Sequence, residues 1–567
     1  MKIFKIISVR LLTTAFAVTA TLGMGAEESM DKMWGDSKPK ATQTDLTRGP
    51  HLREGRYGLF IHWGLYSSLA GKWNEKTHYG IGEWIKSMAR IPVPDYMEVA
   101  RSFNPDQFNA KAIVQMAKDA GMKYIIITSK HHEGFAMFKS KHPFNIVDAT
   151  PFHRDPMEEL SAACREAGLG FGFYYSHFQD WTAPGGSGGP KKNEDGSDAT
   201  FDQYFKEKCY PQVKEICTQY GPLDVIWFDT PGDMPEKDVV ALHDLVRSTQ
   251  PKALIASRIG YGMGDYACLG DMEVPPEKID GFWESCDTTN DSWAFVWYDT
   301  NWKAPGAIVK RLVSTVARGG NYLLNVGPDG KGNVPEQCQK FLIEAGAWIK
   351  ANPTVIYGAG PSPWRYAMPW GDITTSGTGQ LNLVVFDRPQ DGFLYLPGLS
   401  TPIKSASLLQ NGKVITVMHE VLGDSVRIKL PDGCRDSVAL VVHVELRGAP
   451  EVDQSVAVHP NTSNEIFVHF AEASGAEKKN VSWPEKFGEW KHATQISKWT
   501  PGASARWKVN VLQAGPYHAT LKYRGKSADK TRVVWKITTD EGAMIQNEQS
   551  ATSQYQFYPM GVFKIRT

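Results

Sequence analysis

The signatures that would place this chain in several large functional classes are missing. Its seven cysteines are odd in number and scattered, with no Cys-x-x-Cys pair, which excludes a disulfide framework and a cysteine zinc site. No Gly-x-Gly-x-x-Gly follows the first strand-like segment, so a dinucleotide-binding sheet has no phosphate turn to start from. Neither His-x-His nor His-Glu-x-x-His occurs, and these are the spacings that usually announce a metal centre. Charge of either sign is not in excess: 62 lysines and arginines balance 62 aspartates and glutamates, which argues against a nucleic-acid partner or an anionic membrane surface. Past the N-terminus no run is apolar enough to span a bilayer.

What is present begins with an export signal. Lys2, Lys5 and Arg10 precede an apolar stretch, Leu11 to Leu22, which ends at the small residues Gly23, Gly25 and Ala26. Residues 1–26 read as a secretory signal peptide, too short to cross a membrane and without a cysteine for a lipid anchor, so the protein is expected to be exported to the periplasm or the medium. A length of 567 residues exceeds one core and predicts two or three domains. Aromatic rings are plentiful, with 18 tryptophans, 21 tyrosines and 25 phenylalanines; most fill cores, but such rings also stack on sugar faces.

From residue 59 to about 326, strand-like runs alternate with amphipathic helical ones. Residues 110–120 are helical in pattern and stop at Gly121 before a strand at 124–129; residues 156–167 stop at Gly168 before 170–176; residues 201–220 stop at Gly221 before 225–228. Further strands are expected at 253–257, 281–285 and 322–326. Seven or eight such units fit an α/β fold of the (β/α)₈ TIM-barrel type over 33–351, with an open doubly wound sheet as the other arrangement. The texture then changes to short strands between Gly, Pro and Asp turns, a β-sandwich over 354–447. After a linker near 448–458, residues 455–567 read as an accessory β-rich domain that stops while still strand-like.

Several barrel strands end on polar residues. Tyr124-Ile-Ile-Ile-Thr-Ser-Lys-His-His-Glu-Gly134, Arg56-Tyr-Gly-Leu-Phe-Ile-His-Trp-Gly64, Gly170-Phe-Gly-Phe-Tyr-Tyr-Ser-His177 and Leu223-Asp-Val-Ile-Trp-Phe-Asp229 all climb through apolar residues to His, Tyr, Trp or Asp. Strands that carry polar groups at the same end share one mouth. A carboxylate at such an end, Asp229, is suited to act as nucleophile, base or ligand. A metal held by His62, His131, His132 and His177 is disfavoured because neighbouring histidines on an extended chain point to opposite sides. Hydrogen bonding to a polyhydroxyl substrate explains them with fewer assumptions.

Tyr57-Gly-Leu-Phe-Ile-His-Trp-Gly-Leu-Tyr66, Gly82-Glu-Trp84, Ser129-Lys-His-His-Glu-Gly-Phe135, Gly172-Phe-Tyr-Tyr-Ser176, Asp224-Val-Ile-Trp-Phe-Asp229, Ser257-Arg258 and Asn321-Tyr-Leu-Leu-Asn-Val-Gly-Pro328 together resemble glycoside hydrolase family 29, the retaining α-L-fucosidases. The resemblance covers about residues 33–446. It implies a catalytic barrel with a C-terminal sandwich, no metal or other cofactor, and a fucosylated oligosaccharide or fucan as the partner. By position Asp229 matches the family's nucleophile, while His62, Glu83, Trp84, His131, His132, Tyr175, Trp227 and Arg258 match residues that hold the fucose ring. Tyr174 and Tyr175 cannot both face the site, and Tyr175 is taken here.

The general acid/base is where the chain departs from the family pattern. A Thr-Pro-Glu that many members carry is replaced by Cys268-Leu-Gly270, followed by Asp271-Met-Glu273. Glu273 is chosen for its longer reach, with Asp271 and Glu284 as alternatives. The expected mechanism is attack of Asp229 on the anomeric carbon while the protonated acid releases the aglycone, then hydrolysis of the fucosyl-enzyme by water. Two other readings remain: a fucose-binding, lectin-like protein without catalysis, and a metal-dependent hydrolase. Linkage and aglycone specificity lie in loops the sequence does not decode.

Overall fold

The computed structural model describes residues 4–11, 47–410, 413–434, 438–486, 489–525 and 531–565. Eight strands, buried along their whole length, form one parallel sheet: β1 (Tyr57–Ile61), β2 (Tyr124–Lys130), β3 (Gly170–Ser176), β4 (Val225–Asp229), β5 (Leu254–Ile255), β6 (Ala267–Cys268), β7 (Trp283–Thr288) and β8 (Asn321–Val326). Each strand pairs with its neighbour in chain order except β5 and β6, which are the two edges, and β8 returns to β1. A single parallel bridge between Ala256 and Tyr266 joins the two ends, beside the short strands β5 and β6, so the sheet curls into a (β/α)₈-like TIM barrel.

The apolar runs follow from burial on both faces. Phe60, Tyr124, Ile126, Tyr174, Val225, Trp227, Leu254 and Leu323 fill the inside. Their neighbours along the strands, among them Leu59, Ile61, Ile125, Ile127, Phe173, Tyr175 and Phe228, join the cluster packed on the outer helices. Those helices start and stop where side-chain chemistry allows. Asp155 caps Pro156–Ala167 by accepting from the N–H groups of Met157 and Glu158, and Gly168 ends it at φ 70°, a left-handed conformation that a Cβ would strain. The expected strict alternation lapses once: no helix separates β5, β6 and β7, only the turn Ser257–Ile259 and loops. The two-residue β6 is too short to leave a periodic signal.

Beyond helix Glu336–Ala351, a five-stranded antiparallel sheet faces a three-stranded one, the sandwich. The third region is less separate than its sequence suggests. Val456–Val458, inside the expected linker, is a buried strand paired with Ser504–Val511, and Trp507 and Trp535 share a core cluster with Trp364 and Trp370 of the sandwich. A strand from the N-terminal end, Phe4–Leu11, lies between Ser504–Val511 and Thr531–Thr539. It falls within the stretch read as a leader, the rest of which lies outside the described residues. Among the described residues no helix is long and apolar enough to cross a membrane.

Candidate active site

The C-terminal ends of β1 to β5 and the loop after β6 converge on Asp229. It is the last residue of β4 and, by the alternation of that strand, shares the inward face with Val225 and Trp227. Arg258, on the turn after β5, donates from Nη1 to Asp229 Oδ1 at 3.2 Å. Its other nitrogen, Nη2, donates to Asp271 Oδ1 at 2.6 Å. One guanidinium therefore bridges two carboxyl groups, and its face lies 4.8 Å from the centre of the Trp227 ring.

The second oxygen of Asp229 accepts from the hydroxyl of Tyr174 at 2.8 Å. This corrects the choice of Tyr175. Tyr174 is in register with Trp227 across the β3–β4 pair, so both point inward, and their rings stack at 5.5 Å. Tyr175 points outward, donates to Gln212 Oε1 at 2.9 Å and lies under the ammonium group of Lys130. Tyr174→Phe should lower kcat/KM about 10- to 100-fold, the worth of a hydrogen bond to a charged group. Tyr175→Phe should leave kcat/KM near wild type and lower the melting temperature only; steady-state kinetics and thermal unfolding on the two variants check this.

The histidines are neutral. Burial depresses His62 and His132 to about 3, and His131 also falls well below its ordinary value through burial and the neighbouring His132. The Nδ2 group of Asn325 donates to Thr288 Oγ1 and the Trp293 carbonyl, so its Oδ1 faces His62 and accepts from Nδ1 at 2.7 Å. Ser176 gives its hydroxyl proton to the Gln179 carbonyl, so His132 donates from Nδ1 to Ser176 at 2.7 Å. Its Nε2 is left as an acceptor, 3.7 Å from Asp229 Oδ2, and can take a hydrogen bond from a substrate hydroxyl. His131 Nδ1 is buried without a hydrogen-bond partner among the described residues.

His131 and His132 do not diverge as neighbours on an extended chain would. β2 ends at Lys130 and the chain turns there, with Gly134 N–H bonding to the His131 carbonyl, so the rings lie 4.1 Å apart. His177 is elsewhere, with Nε2 on the Ile259 carbonyl and its ring against Phe228. Among the described residues no three His, Cys, Asp or Glu side chains gather as a metal site.

Glu83 and Trp84 sit on a short turn packed on the loop after β7. Glu83 accepts from Ala294 N–H at 3.1 Å, and burial pushes its carboxyl up to about 8. The Trp84 ring meets His132 edge-on at 5.7 Å. Two neighbours were not among the site residues drawn from the sequence. Trp293 packs against His62 at 5.2 Å, and Trp181 meets Trp84 at 5.0 Å and His132 at 5.5 Å. Trp181 is held by Asp180, whose Oδ1 accepts from the N–H groups of Thr182 and Ala183. The other oxygen of Asp180 pairs with the buried Lys130 and Lys208. The only signal for Trp181 was its place four residues after strand-end His177.

The three acid candidates separate by position. Asp271 is tied to Asp229 through Arg258. Glu273 turns back on its own loop, accepting from Gly270 N–H at 2.9 Å. Glu284 lies at the other end of the barrel interior, in register with Asn321 at the start of β8, where it receives Trp227 Nε1 at 3.0 Å and the Tyr124 hydroxyl at 2.9 Å. Burial lifts Glu284 to about 7, but Trp227 stands between it and the mouth.

The α-L-fucosidase family model matches residues 26–354. An α-L-fucosidase of Dictyostelium discoideum is 30% identical over 376 residues, 60% of this chain and 78% of that protein. Tissue α-L-fucosidase of Rattus norvegicus is 29% identical over 414 residues, 67% of this chain and 86% of that one. The crystal structure of an α-L-fucosidase from Vibrio sp. strain EJY3 is 28% identical with a TM-score of 0.71, covering 91% of this chain and 93% of its own. A solved mutant of the α-L-fucosidase AlfC, 40% identical with a TM-score of 0.50 over 54% of this chain and 99% of its own, is in complex with 4-nitrophenyl-α-L-fucopyranoside.

Proposed function

The chain belongs to the α-L-fucosidase family and is a glycoside hydrolase; on that premise we propose that it removes terminal α-L-fucose with retention, through a covalent fucosyl-enzyme. The observation that carries this is the Arg258 bridge between Asp229 and Asp271, which holds two carboxyls within the span of one guanidinium. A retaining pair needs a separation of about 5 Å. In this reading Asp229 is the nucleophile, its lone pairs aligned by Arg258 and Tyr174. Asp271, rather than Glu273, protonates the leaving oxygen.

The electrostatics suit that division. Burial raises Asp271 above the ordinary carboxylate value, opposed by Arg258 and aided by the charge of Asp229. Esterification of Asp229 cancels that charge, lowers Asp271 and readies it to take a proton from water in the second step. The neutral His62, His131 and His132, Glu83 and the rings of Trp84 and Trp227 would hold the sugar. The Nε2 of His132, left as an acceptor, supports hydroxyl recognition. Trp293 adds an apolar wall.

4-Nitrophenyl α-L-fucoside is the test substrate, as the AlfC mutant complex suggests. Proton NMR of the first product should show α-L-fucose before mutarotation; β-fucose first, or binding without turnover, would reject the reading. The kcat/KM profile should fall at high pH as Asp271 loses its proton. Arg258→Leu removes the cation that opposes the rise of Asp271, so the alkaline limb should move to higher pH along with a loss of rate; an unmoved limb would separate Arg258 from the acid.

Export belongs to this reading through Lys2, Lys5, Arg10 and the apolar stretch after them, and fucosylated oligosaccharides or fucans would be met outside the cytoplasm. Leader cleavage would remove Phe4–Leu11 from between Ser504–Val511 and Thr531–Thr539. N-terminal sequencing of the exported protein decides whether that strand survives.

A further inference from the structure

The loop that carries Asp271 and Glu273 is gripped from outside the barrel. Its first half is tied to the barrel itself: Leu269 N–H donates to the Glu284 carbonyl at 3.1 Å, Met272 N–H to the Cys286 carbonyl at 2.7 Å, and Arg311 to the Met272 carbonyl. Its second half, apart from a bond from Ile279 N–H to the Arg318 carbonyl of the barrel at 3.2 Å, is tied to the β-regions C-terminal to the barrel. Lys278 N–H donates to the Arg365 carbonyl at 3.1 Å, and Arg365 Nε and Nη2 donate to Glu277 Oε2 at 2.9 and 2.5 Å. The other oxygen of Glu277 meets Nε2 of His469, 192 residues further along the chain, at 2.5 Å. His469 is itself fixed, with Nδ1 on Thr494 Oγ1 at 3.0 Å, and its neighbour Phe470 lies under the Arg365 guanidinium.

Glu277 is six positions after Asp271. A general acid works only within hydrogen-bond reach of the leaving oxygen, and a misplacement of about 1 Å costs up to about 100-fold. Partly exposed ion pairs contribute little to stability, so a bond from the third region to this loop has more consequence for placement than for folding.

We infer that His469 is a positioning residue for proton donation: the third β-region reaches through Glu277 to set the loop that presents the acid. The inference rests on the retaining-fucosidase reading and on the acid lying in this loop, whether it is Asp271 or Glu273.

The test is the leaving-group dependence of kcat/KM, measured on full-length wild type, His469→Ala, His469→Gln and Glu277→Gln. The substrates are 2-chloro-4-nitrophenyl, 4-nitrophenyl and phenyl α-L-fucosides and a fucosyl-N-acetylglucosamine. An activated phenol leaves without help, whereas a sugar alcohol needs the proton. His469→Ala and Glu277→Gln should stay within about twofold of wild type on the chloronitrophenyl substrate and fall about tenfold or more on the disaccharide. His469→Gln, whose amide can still donate to Glu277, should recover most of that loss. An equal loss on every substrate, or none, overturns the inference; thermal unfolding then tells a structural role from no role. Asp271→Ala and Glu273→Ala serve as references. If one steepens the dependence and His469→Ala does not, only this inference fails; if neither does, the acid loop is misread and the inference falls with it.

Discussion

Asp229→Gly should lose on the order of 10⁴-fold or more in kcat on 4-nitrophenyl α-L-fucoside, because the step that forms the covalent intermediate has no nucleophile left. The cavity left by the carboxylate should then admit azide, which attacks the anomeric carbon in a single displacement. The product is β-L-fucosyl azide, of inverted configuration, identifiable by NMR. Asp229→Asn keeps the shape and, through its one oxygen, the contact to Arg258, while its Nδ2 would meet the Tyr174 hydroxyl as a donor; without the nucleophile and without a cavity it should be equally inactive and unrescued. Activity within tenfold of wild type in either variant would remove Asp229 from the mechanism. A wild type that binds fucose without turning over the fucoside would point to the lectin-like alternative.

Asp271→Ala should show a different pattern. Its kcat/KM should fall by about 10²- to 10⁴-fold on fucosyl-oligosaccharides, whose alcohols leave only when protonated, and far less on activated aryl fucosides. On the latter the loss of the base should slow hydrolysis of the intermediate, giving a burst of phenol and a low KM. Azide should then relieve the second step and yield α-L-fucosyl azide, of retained configuration. Glu273→Gln should remain within about threefold of wild type on every substrate, since its carboxyl caps its own loop. If instead Glu273→Gln takes the leaving-group-dependent loss, the acid is Glu273, and the Arg258–Asp271 contact serves only to orient the arginine.

These two sites were legible to different degrees. Asp229 ends a run of apolar residues that only a strand buried on both faces carries, so its place at the mouth follows from composition. The tyrosine is an intermediate case. Alternation says that one of Tyr174 and Tyr175 faces inward, but not which, because parity is set by the register with β4, where Tyr174 pairs with Trp227. Alternation also misleads at His131 and His132, where the chain has already left the strand. Asp271, Glu273 and Trp293 sit on loops with no period at all, so nearness in sequence ranked them and only the fold could correct the ranking.

By itself the sequence determined the elements whose physics is local: the apolar strands, the helices with their caps and glycine stops, the change to short β-strands after the barrel, and the strand-end positions of His62, His132 and Asp229. Burial, capping and backbone freedom act within a few residues, and their pattern survives in one dimension. The tertiary structure alone decided the inward tyrosine, the carboxyl that shares Arg258 with Asp229, the sinking of Glu284 below Trp227, and the reach of His469 to Glu277 across 192 residues. Those are contacts between segments brought together by closure of the barrel and packing of the C-terminal sheets, and each depends on a register or a loop path that no local pattern encodes.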